Sequence, residues 1–162
     1  MKTVLLIRHA KSSWDNIAVK DFDRTLNDRG LRDAPVMAKR LLDKNIAING
    51  FISSPAIRAI TTCTIFAKAY GKQSAITTYK DLFNAPPAVF SRAIKAADNA
   101  LNSIAIFAHN PGITDFANSL TKTRIDDMPT CAIFAVQADI DNWKDFEKAD
   151  KTFMFFDYPK SL

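Results

Sequence analysis

Short apolar runs that stop abruptly at polar, chemistry-bearing residues recur along this chain, and between them apolar residues return at helical spacing. Lys2–Ile7 (KTVLLI) stops at Arg8-His9, Phe51–Ser53 stops at Ser54-Pro55, and Ser103–Ala108 (SIAIFA) stops at His109-Asn110. A continuous apolar run of this length, bounded by polar loops, is the pattern of a strand buried on both faces. After the first run, Leu31, Ala34, Ala38, Leu41 and Leu42 follow a helical stripe with Asn27 as N-cap and Asp28 in the first turn. Pro35 interrupts that stripe, so the helix either begins nearer Leu31 or bends there.

The alternation continues. A helix is predicted over Ala56–Tyr70 with Gly71 as its C′ residue, then a strand over Ala75–Tyr79. Pro86-Pro87 leads into a helix over Ala88–Ala97, and Pro111 opens another that closes near Leu120. Met128-Pro129 is the lead-in to a strand over Cys131–Ala138, and Lys151–Tyr158 is the last strand, with Trp143 and Phe146 on the connection. Strands alternating with helices imply βαβ units and a mostly parallel sheet covered on both faces. The expectation is one α/β domain over 1–162, a three-layer sandwich with helices on both sides of the sheet.

Composition narrows the function classes. At 162 residues, with 48% apolar and 24% charged residues, the chain is neither a disordered tail nor a fibre. No apolar run approaches the roughly 20 residues that a membrane helix needs. The first run stops at Arg8 without a secretory cleavage site, so a cytoplasmic location is expected. The net charge of +5 suits a phosphate-bearing partner, but the basic residues are scattered singly among acids, which argues against nucleic acid. Cys63 and Cys131 belong to no CxxC pair and sit in apolar surroundings, the pattern of buried free thiols. Nothing in the sequence fixes an oligomeric state.

In open α/β sheets ligands bind beyond the carboxyl ends of the strands, and the polar residues that end these runs all fall there. The chain has 2 histidines, His9 and His109, and both occupy this edge, with Arg8 and Arg58 beside them. Imidazole serves as nucleophile or as acid and base, and arginine offers a planar fork matched to phosphate oxygens. A lone histidine at a strand end is usually structural; two at one edge with two arginines describe a phosphate pocket containing a nucleophile. Rival chemistries fail on the letters. A cysteine phosphatase loop needs Arg six positions after Cys, where Ala69 and Gln137 stand. Four glycines cannot write a Rossmann or Walker loop, and the cysteines and histidines have no zinc-ligand spacing. The segment Asp21-Phe22-Asp23-Arg24-Thr25 does spell DxDxT, the nucleophile motif of Mg²⁺-dependent haloacid-dehalogenase-type phosphatases, with Asp126-Asp127 as conceivable metal ligands. That motif belongs at the end of a strong buried strand, which Ile17–Lys20 does not offer.

LLIRHAKSSW, DFDRTLNDRG, SSPAIRAITT and FAHNPGI, in this order over the chain as far as about Leu120, resemble the histidine phosphatase superfamily with its phosphoglycerate-mutase-like fold. Order and short length are most similar to the SixA-type phosphohistidine phosphatases. The resemblance implies that His9 is the nucleophile, that Arg8 and Arg58 bind the phosphoryl oxygens, and that His109 completes the pocket; in the expected mechanism His109 is protonated and helps balance the phosphoryl charge. It further implies that Arg24 reaches the phosphate, against the competing reading of a loop salt bridge with Asp21 or Asp23. The family's RHG is RHA here, which is tolerable if Ala10 keeps φ below zero. The acid that usually protonates the leaving group has only a loose counterpart, Asp81 in YKDLFN, against the competing reading of a surface turn residue. No cofactor and no metal are implied.

The expected activity is metal-independent hydrolysis of phosphohistidine on a protein through a phosphohistidine enzyme intermediate. Phosphorylated imidazole leaves more readily than an alkoxide, so a pocket poor in acids favours it, and the absence of a large lid insertion leaves room for a protein substrate. The other readings are a small-molecule phosphomonoesterase of the same superfamily, the Asp21/Asp23 magnesium enzyme, and a phosphoprotein-binding module that has lost turnover.

Overall fold

A computed structural model describes residues 1–160, and among them run six strands and four α-helices. The strands are β1 (Lys2–Arg8), β2 (Gly50–Ser53), β3 (Ile76–Thr78), β4 (Ser103–Ala108), β5 (Ile133–Ala138) and β6 (Lys151–Asp157). The helices are α1 (Asp28–Asp43), α2 (Ile57–Ala69), α3 (Pro87–Lys95) and α4 (Gly112–Leu120). They make one sheet in the order β3-β2-β4-β1-β5-β6. β1, β2, β3 and β4 pair in parallel, while β5 and β6 run antiparallel along one side. The mostly parallel α/β domain expected from the sequence is the observed one.

Strand pleating divides the core into two layers. Val4 and Leu6 of β1, with Ile104 and Ile106 of β4, face α3 and α4 through Phe90, Ile94, Ile113 and Phe116. Leu5 and Ile7, with Ala105 and Phe107, face α1 and α2 through Met37, Leu41, Cys63 and Phe66. The middle of each central strand, Val4–Ile7 and Ile104–Ala108, is therefore apolar at successive positions because both of its faces are covered. Phe107 stacks on Phe51 and meets Phe66 edge-on, so three large rings lock β4, β2 and α2 together. Trp143 and Phe146, on the connection between β5 and β6, are fully buried in the α3/α4 layer.

α1 departs from the expectation. Asn27 is its N-cap, accepting the Gly30 N–H at 2.9 Å, and the helix runs unbroken through Pro35. Pro35 lies on the solvent side, where water can satisfy the Leu31 carbonyl that lost its partner. Leu31 and Leu42, assigned to the apolar stripe from spacing, are exposed; Met37 holds the core position instead. Gly71 adopts φ +66 just past α2, as its C′ assignment requires. Both cysteines are free and buried. No helix among the described residues is long and apolar enough to cross a membrane.

Candidate active site

Strand register gathers the polar residues. β1 and β4 pair in parallel with Arg8 opposite Ala108, so the next residue on each strand, His9 and His109, emerge side by side. Their ring centroids are 5.2 Å apart. β2 aligns Ser53 with Phe107, which sets Ser54 next to the same edge, and in the first turn of α2 Arg58 points back towards His9. The antiparallel β5 begins where β1 ends, and Met128 ahead of it accepts a hydrogen bond from Arg8 Nη1 at 2.8 Å. Met128 thus anchors Arg8 through its carbonyl, and the strand itself starts only at Ile133, after Cys131 at φ +62.

The loop after β1 is held rigidly. Its Lys11 carbonyl accepts the Asn27 N–H, the Ser13 N–H bonds to Thr25, and Ser12 bridges Leu26. Gly30 is required here, because a Cβ would sit 2.2 Å from the Lys11 carbonyl oxygen. Ala10 avoids positive φ and is wholly buried; its N–H donates to Thr62 Oγ1. A methyl group in place of the usual glycine therefore leaves the loop undistorted.

These elements enclose a cavity of about 240 Å³ lined by Arg8, His9, Arg24, Arg58 and His109, among others. His9 Nδ1 lies 2.7 Å from the Ala10 carbonyl oxygen, which can only accept, so Nδ1 carries the proton. Nε2 is then the lone-pair nitrogen, and Arg58 Nε donates to it at 3.4 Å. Burial, joined by the charges of His109, Arg58 and Arg8, pushes the His9 imidazole down to about 3 despite the Ala10 hydrogen bond. Burial likewise pushes His109 down to about 3, with Arg58 acting in the same direction and Asp21 opposing it. The neutral His9 expected from the sequence is the form the site favours. The protonated His109 is not: low dielectric and nearby guanidinium groups disfavour a second cation there.

His109 Nε2 lies 2.7 Å from Ser54 Oγ. That hydroxyl also accepts the Ala56 N–H and has its own proton to give; in the tautomer where it donates to Nε2, the ring proton is on Nδ1. His109 Nδ1 and Arg8 Nε are both buried without a hydrogen-bond partner. Two unsatisfied donors on cavity-lining side chains suit an anion with several acceptor oxygens.

A family model described as the histidine phosphatase superfamily (branch 1) matches residues 4–83. An uncharacterised protein of Mycobacterium leprae is 33% identical over 120 residues, covering 71% of each chain. Among solved structures, a protein histidine phosphatase SixA complexed with tungstate superposes with a TM-score of 0.82 at 22% identity, covering 97% of both chains. A mycobacterial glucosyl-3-phosphoglycerate phosphatase superposes with a TM-score of 0.70 at 13% identity over the full length of both. The chain belongs to the histidine phosphatase superfamily. Its enzyme class is that of a phosphoric ester hydrolase.

In this histidine phosphatase the DxDxT string is not a nucleophile motif. Asp21–Asp23 form a 3₁₀ turn away from any strand end. The Asp21 carboxylate is engaged by two arginines, Arg24 at 3.0 Å and Arg58 at 3.1 Å. Partial burial would raise its pKa, yet the Arg24 and Arg58 hydrogen bonds and the Arg58 charge hold it below the usual carboxylate range. Asp127 accepts from Asn110, and among the described residues no three His, Cys, Asp or Glu side chains gather as metal ligands.

Arg24 makes the loop salt bridge and also borders the cavity. It pairs with Asp21, donates to Ser12 Oγ, and still lines the cavity, with its guanidinium 3.6 Å from the centroid of the exposed Trp14 ring. Asp81 does not join the site: it is exposed on a 3₁₀ turn after β3 and lines no part of the cavity. The sequence reading put Ser54 and Asn110 at this edge without giving them a role, and Asn84 escaped it. Ser54 had a signal, the polar pair ending β2, while Asn84 is brought in by a loop at φ +55 that no spacing announces.

Proposed function

We propose that this protein hydrolyses phosphohistidine on a protein partner, without a metal, through a phosphohistidine intermediate on His9. The observation that carries it is His9 itself: an unprotonated Nε2 in a cavity lined by Arg8, Arg24 and Arg58. The phosphoryl oxygens would occupy the guanidinium donors and His109 Nδ1, which otherwise lacks an acceptor. His9 Nε2 attacks phosphorus in line as the bond to the leaving nitrogen breaks, its electron pair returning to the departing imidazole. Water then attacks the phosphorus and releases His9 with orthophosphate. Catalysis is positioning and electrostatic stabilisation by the arginines. A cytoplasmic setting, where Cys63 and Cys131 stay reduced, fits this reading.

The preference for a nitrogen leaving group rests on the carboxylates. Asp21, the one that lines the cavity among the described residues, is held by two arginines and is no proton donor. An alkoxide leaving group would lose the roughly 10²–10⁴-fold that a general acid supplies, whereas a phosphorylated imidazole that already carries a proton on its far ring nitrogen departs as neutral imidazole without it. The neighbouring fold matches include a small-molecule phosphatase, so a phosphomonoester is the second reading, separated by a substrate panel.

The test is turnover of a phosphohistidine peptide and of p-nitrophenyl phosphate in excess EDTA, with and without added Mg²⁺, by wild type and His9→Ala. Full activity in chelator, lost in a folded His9→Ala protein, is the expected result. Activity that needs Mg²⁺, or survives in the variant, removes His9 as the nucleophile. Turnover of the aryl phosphate alone leaves the phosphomonoester reading.

A further inference from the structure

A second cavity, of about 310 Å³, adjoins the arginine-lined one and shares Asn84, His109 and Asn110 with it. Its remaining walls are Ala85, Pro86 and Pro87, ahead of and at the start of α3, and Pro111, Gly112 and Asp115 at the start of α4. The two walls are tightly joined: a Cβ on Gly112 would lie 1.8 Å from the Ala85 carbonyl oxygen. The chemistry of the two cavities differs. The first is dominated by arginines, whereas the second has one charged side chain, Asp115. Asp115 is exposed, and its carboxylate makes no hydrogen bond or ion pair.

We infer that the second cavity is the leaving-group subsite, and that Asp115 is a specificity residue selecting a cationic nitrogen leaving group over an anionic one. The inference rests on the proposed phosphohistidine chemistry. A phosphoryl group held by the arginines has two open directions in line, one towards His9 and one away from it. The leaving group needs space continuous with the phosphate pocket, and the second cavity meets it at His109. Phosphohistidine protonated on its far ring nitrogen is an imidazolium. When its P–N bond breaks, the electron pair returns to the near nitrogen, the far N–H proton stays in place, and neutral imidazole departs. A carboxylate accepting that far N–H favours the protonated form of the substrate, which is the form that leaves without an acid. The same carboxylate repels a leaving group that bears its own carboxylate.

Asp115→Asn and Asp115→Glu test this with three substrates: a phosphohistidine peptide, p-nitrophenyl phosphate and 3-phosphoglycerate. Replacing Asp115 by Asn is expected to lower the ratio of kcat/KM for phosphohistidine to that for the aryl phosphate by about tenfold. It should raise the ratio for phosphoglycerate to aryl phosphate. The alkaline limb of the phosphohistidine profile should move down by about one pH unit, towards the ordinary imidazole range, and Asp115→Glu should restore part of it. Equal losses on all three substrates with an unmoved limb would mark Asp115 as structural and overturn the inference, as would unchanged ratios. If wild type turns over aryl phosphate but not phosphohistidine, the proposed function fails. The subsite is then decided by the phosphoglycerate ratio alone: a rise in Asp115→Asn supports it, and no change overturns it.

Discussion

Burying two neutral histidines beside arginines makes the stability of this protein depend on pH in a window where few other groups titrate. His9 and His109 ionise near 3 in the folded chain, against 6.5 when free. As pH falls through about 6.5 the unfolded chain takes up a proton on each ring and the folded chain does not, so stability falls with pH. Going from about pH 7.5 to about pH 5.5 costs roughly 1.4 kcal/mol per histidine, so about 3 kcal/mol for the pair. For a chain of this size that lowers Tm by about 5–10 °C. The Asp21 carboxyl, held low by its arginines, is lost only at more acid pH, so the two effects separate. Denaturant unfolding at the two pH values, for wild type, His9→Gln, His109→Gln and the double variant, measures it. Each single variant should remove about half of the pH-dependent loss, whatever it does to stability at neutral pH. A double variant that loses as much as wild type would show that the rings are not buried in neutral form. Ring proton shifts that titrate near 6.5 would show the same.

Arg58→Lys removes the fork that reaches the Asp21 carbonyl at 2.6 Å, its carboxylate at 3.1 Å and His9 Nε2 at 3.4 Å. Turnover should fall by about 10²–10³, the usual effect of losing one preorganised donor, and wild-type kcat in the variant would take Arg58 out of the reaction. Gly112→Ala drives a methyl group into the Ala85 backbone and should cost about 1–3 kcal/mol. Gly71→Ala meets no atom within 4 Å and loses only by its φ of +66, about 1–2 kcal/mol, so only the first should also disturb the site. Binding of orthovanadate should take up protons below neutral pH, read as buffer-dependent heats in calorimetry; heats that match across buffers contradict the neutral free pocket.

Arg8, His9, Arg58 and His109 were legible because each follows an apolar run or opens the next helix, and parallel register turns that shared position into proximity. The layers were legible for the same reason: a strand apolar at successive positions must be covered twice. What the letters hid depends on groups that meet only across the fold. DxDxT matched a nucleophile motif in its letters but lacked a buried strand to carry it; the sequence offered Asp21 as a partner for Arg24, and its hold on Arg58 appears only when α2 packs against the 3₁₀ turn. The charge on His109 depends on more than its own type: chemistry suggests a cation beside phosphate, while in the pocket without an anion burial and the neighbouring arginines favour the neutral ring. Leu31 and Leu42 fit a helical period but sit at its wet side, since a stripe fixes an angle only to within a residue or so.

On the proposed mechanism, the depressed histidines and the arginines that line the cavity are one device. Arg8, Arg24, Arg58 and Lys11 face a single engaged carboxylate, Asp21, so the empty cavity is already positive. Adding a proton to either imidazole there is opposed by the same charges that attract an oxyanion, and low dielectric strengthens the opposition. His9 is thereby kept as a free base well below the pH at which an ordinary histidine would be protonated, without a carboxylate to hold it. When a phosphoryl dianion enters, it cancels part of that positive field and both rings regain proton affinity. The His9 lone pair is already committed towards phosphorus, so the gain falls to His109, whose Nδ1 proton faces an acceptor for the first time. On that mechanism site charge answers to the ligand: a neutral His9 as nucleophile before binding, and a more basic His109 once the phosphoryl group has arrived.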